Sequence, residues 1–158
     1  PTPKKSSMKP KSVLFVCHGN ICRSPMAEFV MKDLLAKNGI GGVRVESAAA
    51  SSEEIGNPVY PRAAAVLAAH GISCKGKTSR RIARSDFENF DLILVMDKSN
   101  VRNIAGVCGG TLAAKTRLLM EFAGKPDGEV DDPWYSGDFE TAYCDISAAC
   151  SGLLELFR

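Results

Sequence analysis

Short apolar runs punctuate this chain, separated by longer stretches that carry the spacing of amphipathic helices. Val13-Leu14-Phe15-Val16 is brief, unbroken and β-branched, which marks a strand buried on both faces. "VRVES" (43–47) alternates and predicts a second strand, "DLILVM" (91–96) a third, and "TRLLM" (116–120) a fourth. Between them, Met26, Phe29, Val30, Leu34 and Leu35 line one side of a helix expected from about Pro25 to Asn38, with Gly39 as its stop. Pro58 or Pro61 opens a second helix through "RAAAVLAAH", ended by Gly71. "RSDFENF" predicts a short helix with Ser85 and Glu88 spaced as a capping box. "KSNVRNIAGVC" reads as another short helix, and a last one is expected over about 138–157.

Strands alternating with helices define an α/β domain with a parallel sheet and right-handed crossovers, helices covering both faces in three layers. Such sheets bind ligands beyond the carboxyl ends of their strands, where strand order reverses. An order 2-1-3-4 of four strands puts the loop after strand one at that crevice.

That loop is the unusual part. The first strand stops at Cys17, eight residues run to Ser24, and Pro25 starts a helix, where a missing N–H costs nothing. Gly19 and Asn20 are suited to unusual backbone angles. A strand, a tight loop and a helix N-terminus form an anion cradle, and this one holds Cys17 at its base and Arg23 at its rim. Loop N–H groups and the helix dipole favour a thiolate, the reactive form of cysteine, and equally hold a tetrahedral oxyanion. The Arg23 fork matches two phosphoryl oxygens, and Ser24 can donate to the sulfur. The implied chemistry is attack of sulfur on phosphorus, then hydrolysis of the thiophosphate. No GxxxxGK[ST] occurs, which excludes a Walker-type nucleotide loop.

A phosphate ester also needs its leaving oxygen protonated. In "DDPW" (131–134), Pro133 restricts Asp132 to extended angles that aim its carboxyl from a loop. Trp134 and Tyr135 offer an aromatic wall for a flat substrate group.

With 158 residues and 45% hydrophobic content, the chain has the core of one domain. We expect a lead-in over 1–10, with Met8 as a candidate start, and one domain over 11–158. The net charge of +2, with basic residues dispersed, argues against nucleic acid as a partner. No apolar stretch is long enough for a spanning helix. Six cysteines without a CxxC pair, and no signal-peptide core, point to reduced thiols in the cytoplasm. Cys74, Cys108, Cys144 and Cys150 are expected to pack as small hydrophobes. Cys17, His18, Cys22 and His70 match no zinc spacing. Lys75, Lys77, Arg80, Arg81 and Arg84 read as a solvated basic face.

"VCHGNICRSP" near the amino terminus and "DDPWY" near the carboxyl terminus together resemble the low-molecular-weight protein tyrosine phosphatases. "ESAA" after strand two, "HGI" (70–72) and "VMDKSN" (95–100) extend the resemblance over nearly the whole chain. It implies the small flavodoxin-like phosphatase fold, no cofactor and no metal. It further implies Cys17 as nucleophile, Arg23 as phosphate and transition-state ligand, and Asp132 as general acid and then base. The phosphate loop would comprise His18, Gly19, Asn20, Ile21, Cys22 and Ser24, with Asn20 hydrogen-bonded to His70 and Cys22 a reversible disulfide partner of Cys17. The implied partner is a phosphotyrosine protein, a tyrosine kinase being one candidate, and a monomer is the default expectation.

Two positions depart from the family's pattern. "SSEEIG" puts Glu53 or Glu54 where an aromatic residue is common, giving the substrate wall an acidic edge that repels acidic residues flanking the phosphotyrosine. His18 occupies a position often apolar in relatives. Two other functions fit the residues less well. A thioredoxin-coupled arsenate reductase needs a cysteine relay soon after strand three, where "LVMDKSN" has none before Cys108. A catalytically idle phosphotyrosine-binding module would lack the nucleophile or the acid, and both are present.

Overall fold

The computed structural model describes residues 9–158. The expected lead-in thus lies, apart from Lys9 and Pro10, outside the described residues, as does Met8. Strands β1 (Ser12–Cys17), β2 (Arg44–Ala49), β3 (Leu92–Val95) and β4 (Arg117–Leu118) form one parallel sheet in the order β2-β1-β3-β4. This is the expected order, and it makes β1 central. Every residue of β1 is buried, and its side chains alternate between two apolar layers. Val13, Phe15 and Cys17 face a core built from α1 (Arg23–Lys37) and a long carboxyl-terminal helix. Leu14 and Val16 face a smaller one with Ile82, Phe90, Ile104 and Cys108.

The remaining helices are α2 (Pro61–Ala69), α3 (Asp86–Asn89), α4 (Lys98–Cys108), α5 (Gly110–Ala113), α6 (Pro133–Ser136) and α7 (Phe139–Leu154). Pro61 rather than Pro58 opens α2. Strand β2 runs two residues beyond the expected end, because Ala48 and Ala49 continue the ladder opposite Val16 and Cys17. Strand β4 is much shorter than expected. It pairs only with Leu94 and Val95 at the sheet edge, then tightens into a 3₁₀ turn (Leu119–Ala123) that buries Leu119 and Met120. The final helix likewise ends at Leu154 and finishes as a 3₁₀ turn, Glu155–Phe157. Helix α7 lies so close to the Leu119–Ala123 turn that a Cβ on Gly152 would run into the Phe122 carbonyl oxygen.

The capping box expected at Ser85 and Glu88 does not form. Ser85 is itself helical (φ −61°, ψ −22°) and its side chain makes no cap bond. The buried Asp86 carboxylate, clamped by both Arg80 Nη atoms at 3.1 Å, accepts the Ala83 N–H there instead. A reciprocal box does form at α4, where Asp97 accepts from the Asn100 N–H and Asn100 accepts from the Asp97 N–H. The basic stretch is not one solvated face, since Lys77 and Arg80 point inward to partners and Arg84 donates to the Cys108 carbonyl. Cys108 and Cys150 pack in the core, Cys74 is half-buried, and Cys144 is exposed rather than packed.

Candidate active site

The carboxyl end of central β1 delivers Cys17 directly beneath the first turn of α1. The chain between them folds back around the sulfur, and the turn depends on Asn20, the one non-glycine residue with positive φ (59°) among the described residues. Asparagine tolerates this left-handed geometry because its short amide bonds locally. The sulfur is surrounded by donors. Ser24 Oγ lies 3.0 Å away, the Asn20 N–H nitrogen 3.3 Å and the Ser24 N–H nitrogen 3.4 Å. The N-terminal N–H groups of α1 add partial positive charge.

A buried chain of hydrogen bonds sets the direction of these contacts. The Arg80 N–H donates to Asn20 Oδ1 at 3.2 Å, which turns Asn20 Nδ2 toward two hydroxyls, Ser24 Oγ at 2.8 Å and Ser47 Oγ at 2.9 Å. Ser47 donates its own proton to Glu28 at 2.5 Å, and Glu28 is held by Lys32 at 2.6 Å and Lys77 at 3.3 Å. Ser24 therefore accepts from Asn20 and has its single proton left for Cys17. Serine as donor leaves sulfur as acceptor, the role a thiolate fills.

The expected contact between Asn20 and His70 is absent, and this is a correction. His70 caps the end of α2, stacks on Tyr143 with centroids 3.9 Å apart, and pairs with Glu140 at 3.0 Å. Support for the loop comes instead from Ser47, Glu28 and Lys77, whose Nζ also donates to the Ser47 carbonyl at 2.9 Å. Burial lowers the Lys77 pKa, while Glu28 opposes that shift. Ser79 Oγ closes the loop by donating to the Gly19 carbonyl at 2.8 Å.

Arg23 is buried at the rim. Its Nη1 is committed to Asp97 and to the Val130 carbonyl, each at 2.7 Å, while Nη2 lies 3.5 Å from Asp132. Burial works against its charge, but Cys17, Asp97 and Asp132 outweigh this and raise its pKa. Asp97 is affected oppositely: burial would raise its carboxyl, yet the Ser99 hydroxyl and Arg23 together hold it below the ordinary value. Nothing local in "VMDKSN" marks Asp97 as the partner of Arg23, which lies 74 positions away.

Asp132 sits at the N-cap of α6, as the restriction before Pro133 predicts, with Oδ1 accepting the Trp134 N–H at 3.0 Å. Asp132 and Arg23 line one cleft of about 140 Å³ with Cys17, His18, Gly19, Ile21 and Cys22. Glu53, Glu54, Trp134 and Tyr135 complete its walls. Trp134 leans edge-on against Tyr60 (4.9 Å), which stacks on Phe139. His18 Nε2 is 3.1 Å from Glu53. Cys22, buried beside Cys17, has its thiol pushed up to about 12, first by burial and then by the neighbouring sulfur charge. It stays protonated at neutral pH.

A central-strand cysteine under a helix N-terminus, with an arginine and a carboxylate across a small cleft, defines a phosphate-handling enzyme of the cysteine-nucleophile class. Residues 12–158 match the family model described as low molecular weight phosphotyrosine protein phosphatase, and the chain belongs to that family. The low molecular weight protein-tyrosine-phosphatase YfkJ of Bacillus subtilis is 38% identical over 145 residues, covering 90% of this chain and 93% of that protein. The crystal structure of YfkJ superimposes with a TM-score of 0.84 over 91% of this chain and 92% of that one. The human low molecular weight phosphotyrosine protein phosphatase is 42% identical over 150 residues, 92% of this chain and 94% of that protein. The structure of DARP, a Drosophila arginine phosphatase, is also similar, with a TM-score of 0.80 and 34% identity over 94% of this chain and 96% of that one. Among the described residues, no helix is long and apolar enough to cross a membrane.

Proposed function

We propose that this protein hydrolyses phosphotyrosine in proteins through a cysteinyl-phosphate intermediate. The observation that carries the reading is the sulfur of Cys17, ringed by donors and facing Arg23 and Asp132 across one cleft. The ester phosphate sits over the sulfur, with loop N–H groups and the free edge of Arg23 on its equatorial oxygens. Sulfur attacks phosphorus in line as the phosphorus–oxygen ester bond breaks, and protonated Asp132 gives its proton to the departing phenolic oxygen. Water then attacks the thiophosphate, losing a proton to the Asp132 carboxylate, and the leaving sulfur is received by the Ser24 hydroxyl and the two N–H donors. Asp97 and the Val130 carbonyl hold the guanidinium still throughout, which removes the cost of orienting it at the moment of reaction.

Ile21, Trp134 and Tyr135 supply the apolar surface that a phenyl ring needs. Glu53 and Glu54 would suit a guanidinium instead, so phosphoarginine is the second substrate to test. Acid-quenched turnover of a phosphotyrosine peptide and a phosphoarginine peptide should trap phosphate on Cys17 from the first. Trapping from the phosphoarginine peptide alone would replace phosphotyrosine, and trapping from neither would overturn the mechanism. A tyrosine kinase bearing phosphotyrosine is one partner of the right chemistry.

A further inference from the structure

A second cavity of about 350 Å³ adjoins the catalytic cleft and shares His18 and Glu53 with it. Its other walls include Ser51 from the loop after β2, Arg81, and Arg102 and Asn103 from α4. Ala49 pairs with Cys17 on one side and bridges Arg81 on the other, so two strand spacings, about 10 Å, separate the Arg81 backbone from that of the nucleophile.

The arginines of this cavity differ from the others. Arg23, Arg44, Arg80, Arg117 and Arg158 each meet a carboxylate. Arg62 and Arg84 donate to the carbonyls of Gly137 and Cys108. Arg81 and Arg102 alone have no side-chain hydrogen-bond or ion-pair partner among the described residues, and both face the same cavity. Among the described residues Glu53 is the one carboxylate on its wall, and its Oε1 is turned to His18 at 3.1 Å. Asn103 Nδ2 lies 3.4 Å from the other ring nitrogen of His18, so the imidazole forms the partition between the two sites. Two unpaired guanidinium forks around one concavity make a positive recess matched to carboxylate or phosphate oxygens.

We propose that this recess is a second anion subsite, taking an anionic side chain that flanks the phosphotyrosine in the same polypeptide. It rests on the phosphotyrosine reading. An extended peptide advances about 3.4 Å per residue, so a side chain about one to three residues away spans the gap. Glu54 lines the catalytic cleft and not the recess, so the gain belongs to the one flank of the peptide that reaches the arginines. The repulsion expected from Glu53 is offset there by the two guanidinium charges that share its cavity.

The test is kcat/KM on phosphotyrosine peptides that are neutral or carry glutamate or phosphoserine before or after the tyrosine. Wild type, Arg81→Gln, Arg102→Gln and the double variant are compared, with p-nitrophenyl phosphate, which is too small to bridge the two sites, as a check that each enzyme is intact. The expected result is a preference of about fivefold for an anion on one flank, abolished in the double variant and shrinking at high salt. Gain with both anions assigns the recess to carboxylates and phosphates alike, and gain with phosphoserine alone assigns it to a second phosphate. Equal rates on neutral and anionic peptides, or a preference that survives in the double variant, would overturn the subsite. Failure to hydrolyse even the neutral phosphotyrosine peptide, with p-nitrophenyl phosphate still turned over, would instead overturn the phosphotyrosine reading.

Discussion

The base of the cleft and its rim are built on opposite principles. At the base, Asn20 is 1% exposed, Arg23 2%, and Ser24 and Ser47 are fully buried, each bonded to side chains that are themselves held. At the rim, Trp134 is 53% and Tyr135 86% exposed, and the Glu53 carboxylate, among the described residues, holds only His18. A buried network in low dielectric is rigid and costly to disturb, whereas exposed side chains can change at little cost to the fold. Chemistry common to any phosphate monoester is thus separated from the surface that selects among substrates.

The most severe break of this contrast is at the base itself. Cys17→Ser should lower kcat on p-nitrophenyl phosphate by about four orders of magnitude or more, the loss typical of a deleted nucleophile. Asp132→Ala, at the edge between base and rim, should cost about 10²- to 10³-fold in kcat and remove the basic limb of the pH–rate profile. Glu28→Gln leaves every catalytic group in place but lets an amide donate to Ser47, scrambling the proton order that ends at the sulfur. About a tenfold fall in kcat is expected, together with a lower Tm. At the rim, Tyr135→Ala should raise KM for aryl phosphates about threefold, with a smaller change in kcat.

Asp97 sharpens the contrast through pH. Its native pKa is lowered, so its contribution to stability is complete above the unfolded carboxylate value, about 4, and is lost as pH falls through the native one. Acid unfolding followed by circular dichroism should therefore be less steep over that interval in Asp97→Asn than in wild type.

The alternation of strands with helices and the sulfur–arginine loop were legible because both rest on local signals, namely apolar periodicity, a proline at a helix start, and a fixed spacing from Cys17 to Arg23. Asp132 was legible for the same reason, since Pro133 constrains its neighbour directly. What was not legible depends on pairing between distant segments. Lys77 sits in a run of five basic residues, and only the fold pairs it with Glu28 and Ser47. The resemblance pairs His70 with Asn20, but Tyr143 and Glu140 of α7 hold it elsewhere. The length of β4 depended on its having one neighbour at the sheet edge, which no feature of "TRLLM" reveals.

The placement of β1 at the centre of a parallel sheet also bears on how activity is acquired during folding. Arg23 is joined to Asp97, Val130 and Asp132 across 74, 107 and 109 positions. Contacts that distant carry a large loop-closure entropy and form slowly. An amino-terminal fragment that stops short of Val130 and Asp132 should show no turnover, and refolding chains should regain helical circular dichroism well before turnover, with catalysis returning only when the last third of the chain has docked.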